Sequence, residues 1–368
     1  MTMIRKLNTD NGLQGQTNEH QAVTGGCCQW RDSASYDSEV VNEPFVLRRK
    51  FSGKIATVQQ PPNRWLQCYY DYITTFKLKK MTEAEYLKHI EDSINEIESI
   101  DFRNNWSYEK VIHSILKIQK LPIILFNEPK GNFIFRSRIN DGVKPFVYVS
   151  KISIPDEKFV QNYARANKPK QSLFYGSENR ITSYMEFAMY LAECTPFNEE
   201  VSITIGIWEI QRDLTFALVF NPEISRDTKY NKYHGEAFDD FIRKTPEELR
   251  KGTLKFFKFI GEKYAELADK NTNNYLITCA YSNIIFAYEQ CEGIMYPSVP
   301  SGGDAFNVVI KKNAINEDVL KLKEVKMDKF IAREQPNGKH DFVNNASMDA
   351  SNIANDKIEW NSSWQQWL

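Results

Sequence analysis

The sequence predicts an α+β protein with a mixed β core, and three observations predict it. After Pro122 come short runs rich in β-branched and aromatic residues, "IILF", "NFIFRSR", "FVYVSKISI" and "QSLFYGS", each bounded by Gly, Pro or Asn, which read as strands. Helical stretches interrupt the strands at irregular intervals, so the one-helix-per-strand rhythm of a doubly wound parallel sheet is missing. With 368 residues and 42% hydrophobic content, the chain buries a sizeable core without needing metal or disulfide staples.

Residues 1–45 are rich in Asn, Gln, Ser, Thr and Gly with no apolar period, and predict a disordered leader. Residues 46–121 form a helical N-terminal unit. Within it, "TEAEYLKHIEDSINEIESI" opens with Thr82 and Glu85 at capping-box spacing and carries Leu87, Ile90, Ile94 and Ile97 on one face. "SYEKVIHSILKIQKL" repeats the signature from Ser107, with Val111, Ile115 and Ile118 as its apolar stripe. A domain of residues 122–330 follows. It holds the four strands named above, a helix in "ITSYMEFAMYLAEC", strands in "VSITIGIWEI" and "TFALVF", and a helical insertion over residues 221–288 in which "PEELRKGTLKFFKFIGEKYAEL" is the clearest helix. Strands return in "EGIMYPSV" and "AFNVVIKK"; "LKLKEVKMDKFIARE" reads as one edge strand or two short ones. Residues 331–368, rich in Asn, Ser and Asp, predict a flexible tail.

Charge and cysteine usage narrow the function. Lys and Arg total 47 against 48 Asp and Glu, a net charge of -1, so no basic field attracts nucleic acid and no direct nucleic-acid binding is expected. The six cysteines show no CxxC pairing or metal-ligand spacing, from which reduced thiols, no metal site and a cytoplasmic protein are expected. The first twenty residues lack the apolar run of a signal peptide and no stretch reaches membrane-spanning length, so no membrane partner is expected. GxGxxG opening a helix, GxxxxGK[ST], HExxH and GxSxG are missing, which removes the usual support for dehydrogenase, P-loop, zincin and α/β-hydrolase readings. Ser301, Gly302 and Gly303 in "PSGGDAF" read as a turn, and His89 and His113 as solvent-facing or partly packed helix residues.

What remains is a set of polar and aromatic residues at element ends. Arg136 and Arg138 alternate with apolar neighbours, on one face of a strand. Arg165 lies in a loop beside Asn167 and Pro169, Tyr175 in a strand, and Glu186 within an otherwise apolar helix, where a carboxylate needs a partner or a ligand. A plain structural account also fits each: Glu186 paired to an arginine, Arg136 and Arg138 at a solvated strand edge, Tyr175 as a core or rim aromatic.

Taken together, "IFRSR" with Arg136, "ARANKP" with Arg165, Asn167 and Pro169, "LFYGS" with Tyr175, "TSYMEF" with Glu186, and "GIMYPSVPSGGDAFNVVI" with Ser298 occur in the order of the RES domain family's pattern, which this chain resembles from residue 132 to 312. Arg138 competes with Arg136 as the first arginine, and "ARAN" departs from the family's usual glycine before the loop arginine and aromatic after it. The resemblance implies a fold similar to ADP-ribosyltransferase toxins, NAD as substrate, and the role of toxin in a toxin–antitoxin pair. A cognate antitoxin chain is then an expected partner, and the N-terminal helical unit contacts it, forms a homodimer or packs on its own domain.

The residues suit that chemistry. Arginines hold a pyrophosphate by bidentate charge-assisted hydrogen bonds, a role for Arg136 and Arg165. Nicotinamide is already a cationic leaving group, so the reaction needs a charge to stabilise the oxocarbenium-like ribose, a role for Glu186. Tyr175 offers a flat face and a hydroxyl, and Ser298 a hydrogen bond to the nicotinamide-ribose region or acceptor. Three acceptors fit: water and phosphate, for a glycohydrolase or phosphorylase, or a protein, for a mono-ADP-ribosyltransferase. A non-catalytic module that binds a nucleotide or a partner is the reading from another class.

Overall fold

The computed structural model describes residues 39–41, 46–48, 81–103, 106–266, 275–316 and 318–366. The predicted leader therefore lies outside the described residues, except for strand β1 (Glu39–Val41), which pairs antiparallel with β2 (Val46–Arg48).

Helix α1 (Glu83–Glu98) starts where capping dictates. Thr82 Oγ1 accepts from the Glu85 amide at 3.3 Å while Glu85 Oε2 accepts from the Thr82 amide at 2.8 Å, satisfying two donors that the first turn leaves open. Tyr86, Ile90, Ile94 and Ile97 are buried; Leu87, placed on that face by periodicity, is only half-buried. In α2 (Ser107–Leu116) the expected serine cap is absent. Ser107 is the first helical residue and its hydroxyl donates to the Asp101 carbonyl at 2.8 Å, so Trp106 stands at the cap position and its side chain does not cap the helix.

The sheet begins with β3 (Ile124–Glu128) and β4 (Phe133–Ile139), then β5 (Leu173–Ser177), β6 (Glu200–Ile210) and β7 (Leu214–Leu218). Helix α3 (Arg180–Cys194) separates β5 from β6. Strands β8 (Gly293–Pro297) and β9 (Phe306–Lys311) precede a short helix α7 (Lys312–Asn316) and the long strands β10 (Leu320–Glu334) and β11 (His340–Ala354), with β12 (Lys357–Trp360) and β13 (Gln365–Gln366) at the end. The spatial order is β12-β11-β10-β6-β4-β5-β9-β8-β7-β3, and β13 pairs β11. Ladders are antiparallel except β7 with β8, which run parallel. A parallel pair requires a crossover, and here the helical insertion supplies it: α4 (Lys229–Lys244), α5 (Glu247–Ala265) and α6 (Tyr275–Phe286). The architecture is mixed α+β with one large mixed sheet and several helices.

One hydrophobic cluster joins these layers. α1 packs on α5 and α2 on α6. The close approach depends on Gly252, where a Cβ would lie 2.6 Å from the Tyr86 ring. No helix among the described residues is long and apolar enough to cross a membrane.

Two stretches differ from expectation. Residues 146–154 do not form a strand: Val149–Lys151 is a 3-10 turn, with Val147 and Tyr148 50% and 42% exposed, and only an isolated bridge from Tyr148 to Lys357. β-branched composition there serves an edge contact, while the carbonyls of Lys151 and Ile152 accept from Arg138 and Arg136. Residues 331–368, expected as a flexible tail, carry the end of β10 and strands β11 to β13. Their side chains are polar because much of one face is solvated, whereas Ala332, Ala346, Met348 and Ile358 turn inward.

Candidate functional site

The resemblance-bearing residues gather where β4, β5, β9 and β8 lie side by side under α3. Asn179 caps that helix, its Oδ1 accepting from the Thr182 amide at 2.8 Å. Glu186, on the second turn, reaches the surface with its Oε1 fixed by two donors: Ser298 Oγ at 2.6 Å and Asn307 Nδ2 at 2.7 Å. Both donors bind the same oxygen, and among the described residues neither Oε2 nor Oε1 meets an arginine. The arginine ion pair that periodicity allowed for Glu186 is therefore replaced by two neutral donors. Ser177 Oγ, 2.8 Å from Asn307 Oδ1, turns the amide so that its NH2 faces the carboxylate.

Ser298 is fully buried just beyond β8. Its own amide donates to the Ala305 carbonyl at 2.7 Å and its carbonyl accepts from the Gly303 amide at 2.8 Å. Gly302 and Gly303, at φ of +66° and +84°, make this tight connection, as the turn reading expects.

A second group centres on Tyr175. Its hydroxyl donates to Asn167 Oδ1 at 2.7 Å and accepts from the Ala166 amide at 3.2 Å. Burial raises this phenol far above the ordinary tyrosine range, so it stays protonated. Asn167 is itself buried, so the "ARANKP" loop is pinned to β5 by this contact.

The arginines differ from one another. Arg165 donates to the carbonyls of Tyr264 at 2.7 Å and Glu266 at 2.9 Å, with its guanidinium 5.2 Å from the Tyr275 ring centroid. Arg136 donates to the carbonyls of Tyr175 at 2.5 Å and Ile152 at 3.2 Å, over the Phe174 ring. Burial, with repulsion from Arg138, lowers Arg136 to about 10. Both cations are thus met by backbone carbonyls rather than carboxylates. A partly buried guanidinium without a counter-charge favours an anionic ligand. Arg138 sits on the same strand face but turns to the Lys151 carbonyl and the Phe146 ring instead of reaching β5.

Tyr296 on β8 joins the two groups. It is 3% exposed, packs on Tyr264 with ring centroids 5.0 Å apart, and its phenol is raised well above the ordinary range, first by burial and then by Tyr175 and Glu186, with Arg165 opposing. Asn307 and Tyr296 are the residues sequence reasoning did not single out, although both lie within the quoted "GIMYPSVPSGGDAFNVVI". A polar amide ahead of the apolar "VVI" run is the one signal that pointed to Asn307.

Sequence reading also missed His234. It is fully buried on α4, with Nε2 2.5 Å from Glu178 Oε1, and Glu178 Oε2 accepts from the Phe306 amide at 3.1 Å. Nearby Glu128 is pushed up to about 7 by burial, with Glu178 adding to the rise. His89 and His113 are exposed, as expected. A groove of 530 Å³ lined by Lys321, Lys323, Lys326 and Asp349 lies between β10 and β11, away from this site. Among the described residues, no group of three His, Cys, Asp or Glu side chains is placed to hold a metal ion.

No family model matches the chain, and no curated protein matches it. Among solved structures it is similar to a chain of the M. tuberculosis MbcT–MbcA toxin–antitoxin complex, at 11% identity and a TM-score of 0.28, over 54% of this chain and 85% of that one. A likeness of that size carries no argument for fold or activity.

Proposed function

We propose that this protein cleaves the bond between nicotinamide and ribose in NAD. The observation that carries the reading is the Glu186 carboxylate, held on one oxygen by Ser298 and Asn307 and left open on the other, beside Tyr296, whose neighbours include Arg165 and Tyr175. The sequence resemblance to RES domains, with its ADP-ribosyltransferase-like fold, supports the same substrate.

The chemistry follows from charge. Departure of nicotinamide breaks the C1′–N bond, both electrons leave with the ring nitrogen, and the ring becomes neutral without receiving a proton. Positive charge passes to the ribose, where Glu186 Oε2 stabilises it as it develops. Fixing Oε1 in advance removes the reorganisation that a mobile glutamate would need. Arg165 and Arg136 have N–H groups and uncompensated charge to offer the pyrophosphate. Tyr175, kept protonated with its proton given to Asn167 Oδ1, is a flat surface and not a base. Water adding at C1′ releases a proton to solvent; phosphate adding there leaves a phosphorylated sugar. In the same reading the protein is a cytoplasmic, growth-arresting toxin restrained by an antitoxin chain.

Nicotinamide release from NAD, followed by chromatography with and without phosphate, tests this. Wild type is expected to release it and Glu186→Gln to lose at least about a hundredfold in kcat, the scale of a lost transition-state charge contact. Equal release by the variant would remove Glu186 from the site. ADP-ribose appearing on a protein instead of as free product would make the chain a mono-ADP-ribosyltransferase, and NAD binding without turnover would make it a binding module.

A further inference from the structure

Glu186 is one residue on a helix, and its position is only as good as the helix's rotation. Ser298 and Asn307 grip α3 from the β8–β9 side. Beneath the helix, Ser183 Oγ donates to Ser137 Oγ on β4 at 2.7 Å. The opposite flank is gripped by Asp328 of β10, which is fully buried. Its carboxylate accepts from the Arg180 guanidinium and the Tyr184 hydroxyl, both on α3, and from Ser347 on β11. Tyr184 also packs edge-on against Phe330, 5.3 Å between centroids.

Helix geometry makes these contacts complementary. Arg180 and Tyr184 are four residues apart, on one stripe, whereas Glu186 is two residues past Tyr184, about 200° around the axis. The strand order puts four spacings between β10 and β9, roughly 19 Å at ~4.8 Å each. A helix about 10–12 Å across with its side chains is narrower than that span, so the two grips fall on opposite flanks of α3. Arg180 and Tyr184 reach one way, Glu186 the other.

We propose that Asp328 is a positioning residue that sets the rotation of α3 and so the place of the Glu186 carboxylate. Its strand lies beyond residue 312, outside the segment that carries the family resemblance, and acts on the site through α3. The consequence for turnover rests on the NAD-cleavage reading; the anchoring itself does not.

Two measurements on Asp328→Asn separate these parts. In protein labelled at asparagine, the Asn307 side-chain amide reports its bond to Glu186, and Glu186→Ala gives the signal of the broken bond. Asp328→Asn is expected to move the Asn307 signal toward that position, and to lower kcat about tenfold or more with KM changed less than about threefold, as for loss of an interaction made in the transition state. An unmoved Asn307 signal in a folded variant overturns the proposal whatever the activity. A moved signal in a protein whose wild type releases no nicotinamide upholds the anchor and overturns the NAD reading alone. Should Asp328→Asn fail to fold, Tyr184→Phe removes one donor while keeping the ring on Phe330, and the same signal decides.

Discussion

At the residue scale, a carboxylate acquires meaning from its donors. Glu186 reaches solvent yet is immobilised by Ser298 and Asn307, whereas Asp328 is wholly buried and consumed by Arg180, Tyr184 and Ser347. Glu128 is a third case: among the described residues no cation forms an ion pair with it, and burial holds its carboxyl at about 7, above the usual 4.5. Between those values the folded chain keeps a proton that the unfolded chain has released. Stability from this group is therefore present at low pH and is lost as pH rises through about 7. Glu128→Gln keeps an acceptor for Asn132 and removes the charge. Its Tm is expected to match wild type near pH 5 and exceed it at pH 8 in thermal melts; equal Tm values at both would mean the group is well solvated when folded.

At the element scale, the connection from β8 to β9 sets Ser298. Gly303 takes a φ of +84°, where a side chain costs about 1–2 kcal/mol, and a Cβ there would lie 2.4 Å from Ile224 Cδ1. The isoleucine tip can swing aside, but the backbone angle stays strained. Gly303→Ala is expected to lose roughly 1–2 kcal/mol in denaturant unfolding and to lower nicotinamide release, because the Gly303 amide holds the Ser298 carbonyl. Unchanged stability would show that the turn has another conformation available. Elements of this kind were legible in sequence to different degrees. The Thr82 and Glu85 capping box fixed α1 because both partners are local. The four-residue offset between "SYEK" and its apolar stripe gave α2 but not its cap, since Asp101 captures Ser107 from outside the helix.

At the scale of the whole molecule, β10 is the partner of β6 along its length, from Leu320 opposite Ile210 to Ile331 opposite Glu200. Ending the chain before β10 would leave β6 as an open edge carrying buried Ile203 and Ile205. Such a variant is expected to aggregate, measured as loss of soluble, monodisperse protein in sedimentation; a soluble variant that still releases nicotinamide would overturn both this packing argument and the role given to Asp328. The sequence by itself determined the α+β class, most of the strands and helices, and the order of Arg136, Arg165, Tyr175, Glu186 and Ser298, since period, caps and turn residues act over a few positions. Only the tertiary structure decided that Arg136 rather than Arg138 reaches β5, that Asn307 donates to Glu186 and Tyr296 packs on Tyr264, that His234 meets Glu178, and that polar residues 331–366 form strands. Those outcomes depend on pairings between residues tens to hundreds of positions apart, where the neighbour across the sheet, and not the neighbour in the chain, supplies the donor, the acceptor or the buried face.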